Sequence, residues 1–290
     1  MKIDRPAFSV RAALLATALP AVASCAPPET SGAPSADPLG WSDRAEVLHG
    51  ATVRDRFLEA TEILLGTPYR GGPLGEGDAG GPDPDPRVDF TGVDCVTYLE
   101  ESLALALLPP GAPATDSTFL AILDAIRYRD GMVSFASRNH YTVTDWMDAN
   151  RWLVRDVTRE IGGSSVEEAT RTIDRTKFLR DQGVEPRGAI DAPLSPTIGY
   201  VPVAALPEVA PRIESGDLVF WVGSTPGIFV LHTGLAVRTA DGTLRFRHAS
   251  SRAGEAVEQP LMEYAAGTKF LGVVVLRMLE SPVIPARSPE

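Results

Sequence analysis

The chain has 290 residues, 44% of them apolar and 22% charged, enough for one sizeable core or two small ones and too apolar for a disordered chain. Its formal net charge of −11 argues against a nucleic-acid partner, because releasing counterions from phosphates needs clustered Lys and Arg. Two cysteines exclude a disulfide-stapled scaffold and a thiolate metal cluster.

Lys2, Arg5 and Arg11 precede a short run of small and apolar residues ending Val22-Ala23-Ser24-Cys25. A charged start and an apolar stretch too short for a stable span read as a secretory signal over residues 1–24. Small residues before Cys25 form the pattern of a bacterial lipoprotein signal, in which Cys25 is lipidated and becomes the first residue. An acidic chain is not held by anionic lipid, so acyl chains would anchor it to the membrane. Ala26 stands where aspartate is associated with inner-membrane retention, so the expected location is the cell envelope, at the outer membrane facing the periplasm. Residues 25–42, rich in Pro, Ser, Ala and Gly, read as a flexible tether, 43–280 as a single domain and 281–290 as a tail.

Apolar spacing predicts a helix over 43–65 closed by Gly66. A loop dense in Gly, Pro and Asp follows to Asp89, with Glu76, Asp78, Asp83, Asp85 and Asp89 lacking the regular spacing of a calcium loop. Asp94 is positioned to cap a helix from Cys95 to about Leu108, stopped by Pro109 and Pro110. Further helices are predicted near 117–128 and over 165–181, the latter opening with the capping-box spacing of Ser165 and Glu168. After Pro211 the period changes to that of strands, over 218–222, 228–237, 243–249 and 270–278. Helices first and an antiparallel sheet second is an α+β pattern.

Cys95 sits where free backbone N–H groups and the helix dipole stabilise a thiolate and lower its pKa; a small buried hydrophobe is the alternative. Of the four histidines, His49, His140, His232 and His248, the last two fall on neighbouring strands. A two-residue Asp241-Gly242 turn would send His232 and His248 to opposite faces. A three-residue loop ending in a left-handed Gly242 puts His248 opposite Gly234 and makes His232 its diagonal neighbour. We adopt the three-residue loop, and expect small Gly234 and Ala236 on that face to admit the Cys95 helix. Nucleophile, base and orienting group would then converge. Arg138 and His140, in a polar segment between helices, could line a surface loop or hold a substrate carboxylate or sugar hydroxyl.

The segments Gly66-Thr67-Pro68-Tyr69-Arg70-Gly71-Gly72, Val93-Asp94-Cys95-Val96-Thr97, Ser215-Gly216-Asp217-Leu218-Val219-Phe220, His232-Thr233-Gly234-Leu235-Ala236 and His248-Ala249-Ser250 follow in order. Together, over roughly residues 55–280, they resemble the NlpC-type family of papain-like bacterial cell-wall cysteine peptidases. Val96-Thr97 replaces the Ser-Gly common there. With Ser137-Arg138-Asn139-His140-Tyr141 and Asp145-Trp146, that departure resembles the N-acetylmuramoyl-L-alanine amidase-like branch. The resemblance implies an α+β papain-like fold with the nucleophile helix packed on an antiparallel sheet. It implies Cys95 as nucleophile, His232 as general base and His248 as orienting member, with Ser250 an alternative for the third place. It also implies Tyr69 near the thiolate; Asp94, Arg138, His140 and Tyr141 are further candidate substrate contacts, the Cys95 N–H at the helix start would serve the oxyanion, and no cofactor or metal is expected.

The implied substrate is peptidoglycan or its muropeptides, cut at the bond between N-acetylmuramic acid and L-alanine or at the γ-D-glutamyl bond of the stem peptide. Three other readings stay open at this point: a zinc amidase using His140, His232 and His248, a non-catalytic peptidoglycan-binding lipoprotein, and an acyltransferase using the same thiol.

Overall fold

Helix α1 (Ser42–Glu46) ends early and the chain restarts in α2 (Val53–Ile63). The break in the expected continuous helix has a local cause, a capping box. The Thr52 hydroxyl accepts from Asp55 N at 3.1 Å, and the Asp55 carboxylate accepts from Thr52 N at 3.0 Å. The coordinates are a computed structural model describing residues 40–78, 81–110, 115–186 and 193–285. The signal segment, Cys25 and the tether as far as residue 39 lie outside the described residues.

Helix α3 (Thr97–Leu107) is buried along its whole length and stops before Pro109. Helix α4 (Asp116–Arg127) is capped by the Thr115 hydroxyl, which accepts from Thr118 N at 3.2 Å. A wide helical turn over Thr142–Trp146 leads into the short α5 (Met147–Ala149). Then come α6 (Thr158–Gly162), α7 (Arg175–Asp181), α8 (Leu206–Val209) and α9 (Leu261–Ala266). Among the described residues no helix is long and apolar enough to cross a membrane.

The strands are β1 (Val154–Asp156), β2 (Glu167–Thr170), β3 (Thr197–Pro202), β4 (Leu218–Val222), β5 (Val230–Arg238), β6 (Leu244–Ser250), β7 (Glu255–Pro260) and β8 (Gly272–Met278). They form one antiparallel sheet in the order β2-β3-β8-β4-β5-β6-β7, with β1 pairing β8. The α+β expectation holds, but three strands, β1, β2 and β3, precede Pro211, where the strand pattern was expected to begin. The expected helix over 165–181 is half strand: Glu167–Thr170 pairs with Thr197–Tyr200, and only Arg175–Asp181, capped by Asp174, is helical. A capping-box spacing at Ser165 lost to long-range pairing, in which the Tyr200 hydroxyl donates to Glu167 at 2.8 Å.

The sheet has helices on both faces. Alternate residues Leu218, Phe220, Leu235, Val274 and Leu276 form one core with α2, α3 and α4. The other set, Val219, Trp221, Ala236, Phe246 and Val275, packs with residues of α6, α8 and α9. Polar clamps fix the layers. Arg247 on β6 reaches the Leu58 carbonyl and the Thr61 hydroxyl of α2 at 2.9 and 3.0 Å while pairing with Glu258 on β7. Arg277 grips buried Asp217 in a two-pronged pair at 2.8 and 2.7 Å.

Candidate active site

Helix α3 starts at Thr97, two residues later than expected, so Cys95 lies in the turn that leads into it, and the Asp94 side chain caps that turn. The Asp94 Oδ1 accepts from Val96 N at 3.0 Å, Thr97 N at 2.8 Å and the Thr97 hydroxyl at 2.9 Å, while its own N–H donates to that hydroxyl oxygen at 2.9 Å. Oδ2 accepts from Gly72 N at 3.1 Å, which docks the Thr67–Gly72 loop against the helix start. Tyr69 bridges to Val93 in that loop, and its phenol is held above its ordinary range by burial, by Cys95 and by Asp94. The Thr233 hydroxyl of β5 donates to the Cys95 carbonyl at 2.5 Å. That bond ties Cys95 to the strand residue next to His232.

The thiol is not depressed as the helix start alone suggests. Burial first, and the Asp94 carboxylate second, push Cys95 up to about 11. The cap that satisfies the helix N-terminus also puts a negative charge there, and this offsets the dipole that would have favoured a thiolate.

The β5–β6 connection is the three-residue loop: Gly242 has φ +86° and its N–H donates to Thr239 O at 2.9 Å. Leu235 pairs with Arg247, so His248 lies beside Gly234 and His232 is its diagonal neighbour. The two rings meet at 2.6 Å between His232 Nε2 and His248 Nδ1. Gln259, opposite Phe246 on β7, places its amide nitrogen 2.9 Å from the other His248 nitrogen, Nε2. The Ser250 hydroxyl accepts from Ala253 N at 3.1 Å in the following turn. Burial lowers His232 to about 4 against the opposing pull of Asp94, and burial together with the His232 neighbour lowers His248 to about 3. Both rings are neutral at pH 7.

The sheet face assigned to the Cys95 helix is corrected. Helix α3 packs on the face of Leu218, Phe220 and Leu235, whereas His232 and Ala236 lie on the face of Trp221 and Phe246. Gly234 is small for a different reason: a Cβ there would stand 2.5 Å from the Phe246 ring. Tyr264 of α9 closes this side, its ring 4.9 Å from His248 and 5.9 Å from His232, and its phenol is held up by burial and by Cys95.

Two cavities flank these groups. One of about 230 Å³ is lined by Gly72, Asp94, Thr97, Arg127, His140 and Thr233. The other, about 380 Å³, is lined by His232, His248, Arg252, Gln259, Glu263 and Tyr264. Arg138 is engaged by Glu76 at 2.6 Å and Asp83 at 2.7 Å, so the acidic loop neutralises the cation expected to hold a substrate anion. His140 packs between Phe135 and Phe178 with Nε2 at 2.7 Å from the Phe135 carbonyl; burial lowers it to about 4. Tyr141 stands edge-on to Phe178. Among the described residues no three His, Cys, Asp or Glu side chains are grouped to hold a metal ion, and His140 does not join the other two histidines. Thr233, Gln259 and Tyr264 were missed from the sequence. Gln259 was findable in principle, since Val257 and Gln259 alternate as strand residues do.

A model of the family described as AmiA-like, N-acetylmuramoyl-L-alanine amidase-like, matches residues 59–273. A comparison with curated proteins finds no match. Among solved structures, a Legionella pneumophila protein assigned to the family model DUF1460 superposes with a TM-score of 0.73 at 24% identity, covering 84% of this chain and 95% of that one. An N-acetylmuramoyl-L-alanine amidase from Bacteroides uniformis superposes with a TM-score of 0.64 at 29% identity, covering 77% of this chain and 98% of that one.

Proposed function

The chain belongs to the AmiA-like, N-acetylmuramoyl-L-alanine amidase-like family, and on that premise we propose that it hydrolyses the amide between N-acetylmuramic acid and L-alanine in peptidoglycan or its muropeptides, with Cys95 as nucleophile. The observation that carries this reading is the 2.6 Å contact of His232 with His248 on the strand that also anchors Cys95 through Thr233. His232, engaged at Nε2, has Nδ1 left to take the thiol proton as Sγ attacks the carbonyl carbon. The Cys95 N–H donates to the developing oxyanion. The His232 imidazolium then protonates the leaving amine of L-alanine, and water attacks the thioester to release the acyl group and regenerate the thiol. A thiol that is protonated at rest and an imidazole that is neutral mean the proton moves during attack, not before substrate arrives.

Mass spectrometry of muropeptides digested by the wild type and by Cys95→Ala tests the proposal. The wild type should separate the sugar from an intact peptide beginning with L-alanine, and Cys95→Ala should release nothing. Release of sugar-linked L-alanyl-D-glutamate instead would assign the bond to the γ-D-glutamyl endopeptidase reading. Unchanged products from Cys95→Ala would refute the thiol mechanism, and activity abolished by a chelator would favour the zinc reading. Lipid anchoring at Cys25 and an outer-membrane location belong to the same proposal and rest on the sequence of the first 26 residues.

A further inference from the structure

His232, His248 and Gln259 form a diagonal row across β5, β6 and β7, on one face of the sheet. Each neutral imidazole carries one proton on one of two nitrogens. In this row the His232 Nε2, His248 Nδ1 and His248 Nε2 atoms are all engaged, so choosing the partner at one end fixes every proton along the chain. Two orders are possible. If the Gln259 amide N–H₂ faces His248, then His248 holds its proton on Nδ1 and donates to His232, whose own proton must sit on Nδ1. That His232 cannot accept a proton from the thiol. If the amide oxygen faces His248, the order reverses: His248 donates from Nε2, accepts at Nδ1 from His232 Nε2–H, and His232 Nδ1 is bare. The amide nitrogen is the atom placed toward His248; a half-turn that brings the oxygen there leaves the heavy-atom positions the same, so the proton order of the row decides between the two.

We propose that Gln259 is a positioning residue of this site, its amide oxygen accepting the His248 Nε2 proton and so setting both rings in the tautomer that leaves His232 Nδ1 free for Cys95. The inference rests on the Cys95–His232 reading above. It also accounts for a neutral side chain at this position. A carboxylate there would hold the same order but would attract a second proton onto the histidine pair. With the amide, the rings stay uncharged at rest, in keeping with the depression of both. The other ionisable groups facing the row are Tyr264 and Glu263 from α9, Arg252 from the β6–β7 turn, and Cys95 and Asp94 from the start of α3. None of them is hydrogen-bonded to His248 in the described contacts.

The test compares Gln259→Leu and Gln259→Glu in the full chain, with Gln259→Met as a second apolar replacement should the leucine variant not fold. Steady-state hydrolysis of N-acetylmuramoyl-L-alanyl-D-isoglutamine is followed against pH, and Cys95 alkylation by iodoacetamide is followed in parallel. The apolar variants should lose about 10²-fold in kcat with KM nearly unchanged, the scale of a misplaced general base. Their Cys95 should alkylate several-fold more slowly at pH 7. Gln259→Glu should retain kcat within about tenfold and move the acid limb of kcat/KM to higher pH, because an anion stabilises protonated rings. A folded apolar variant with kcat and alkylation within twofold of wild type overturns the proposal, as does Gln259→Glu behaving like Gln259→Leu. If the wild type does not hydrolyse the probe, the functional reading fails by itself, and the alkylation series still decides the role of Gln259.

Discussion

Asp94 both caps the helix start beside Cys95 and raises the pKa of that thiol, and Asp94→Asn separates the two effects. Asparagine caps as well as aspartate, so the bonds from Val96 N and Thr97 N survive. One hydrogen bond, from Gly72 N to Oδ2, is lost at the surface, worth about 1 kcal/mol or less. The charge goes entirely. Two unit charges about 6 Å apart interact by roughly 0.7 kcal/mol in water and roughly 3 kcal/mol at an effective dielectric near 20. Because the site opens to a cavity, the weaker end applies, and the thiolate fraction at pH 8 should rise about three- to tenfold. The assay is the pseudo-first-order rate of Cys95 alkylation by iodoacetamide, with Tm measured on the same sample. Asp94→Ala removes charge and cap together, so it should alkylate faster but unfold at lower temperature. An Asp94→Asn variant that alkylates no faster than wild type at unchanged Tm would refute the claim that the cap opposes the thiolate.

Thr233→Val keeps shape but leaves the Cys95 carbonyl without its 2.5 Å donor; stability should fall by about 1–3 kcal/mol and kcat more than KM, read by urea unfolding and initial rates. On the proposed mechanism, in which neutral His232 is the base, the acid limb of kcat/KM should lie near pH 4, where burial puts that ring; a limb near 6.5 would contradict the burial argument. The same depression has a stability consequence. His140, His232 and His248 have folded pKa values below the unfolded value of about 6.5, so their contribution is complete above pH 6.5 and is lost as pH falls toward 4. Tm should therefore drop between pH 7 and pH 4.5 by more than in a His140→Phe control. For the anchor, Cys25→Ala expressed with its signal should abolish incorporation of labelled fatty acid and release the protein from the membrane fraction. Retained label would exclude Cys25 as the acylated residue.

Much of the site could be read from local sequence because its parts obey local rules. Asp94 precedes an apolar helical run, so a capped helix start beside Cys95 follows from capping chemistry. The turn Ala240-Asp241-Gly242 fixes the register of its hairpin, and a period of two then decides that His232 and His248 share a face. The switch from helical to alternating pattern gave the α+β class. Each of these inferences reaches no further than a turn or a hairpin.

What failed or was missed involves partners far apart in the chain. Glu167–Thr170 reads as the start of a helix until Thr197–Tyr200 supplies its ladder. Arg138 looks free until Glu76 and Asp83, more than fifty residues earlier, neutralise it. The thiol pKa depends on burial that no window of sequence contains, and it overrides a dipole argument that the sequence does support. Thr233 matters because α3 lies on its face of the sheet and not on the face of Gly234. Gln259 matters because β7 lies next to β6. Backbone propensity, capping and turn geometry are short-range and therefore legible in the chain. Burial, charge pairing and the order of protons along a hydrogen-bonded row are set by which segments meet, and only the packed tertiary structure decides that.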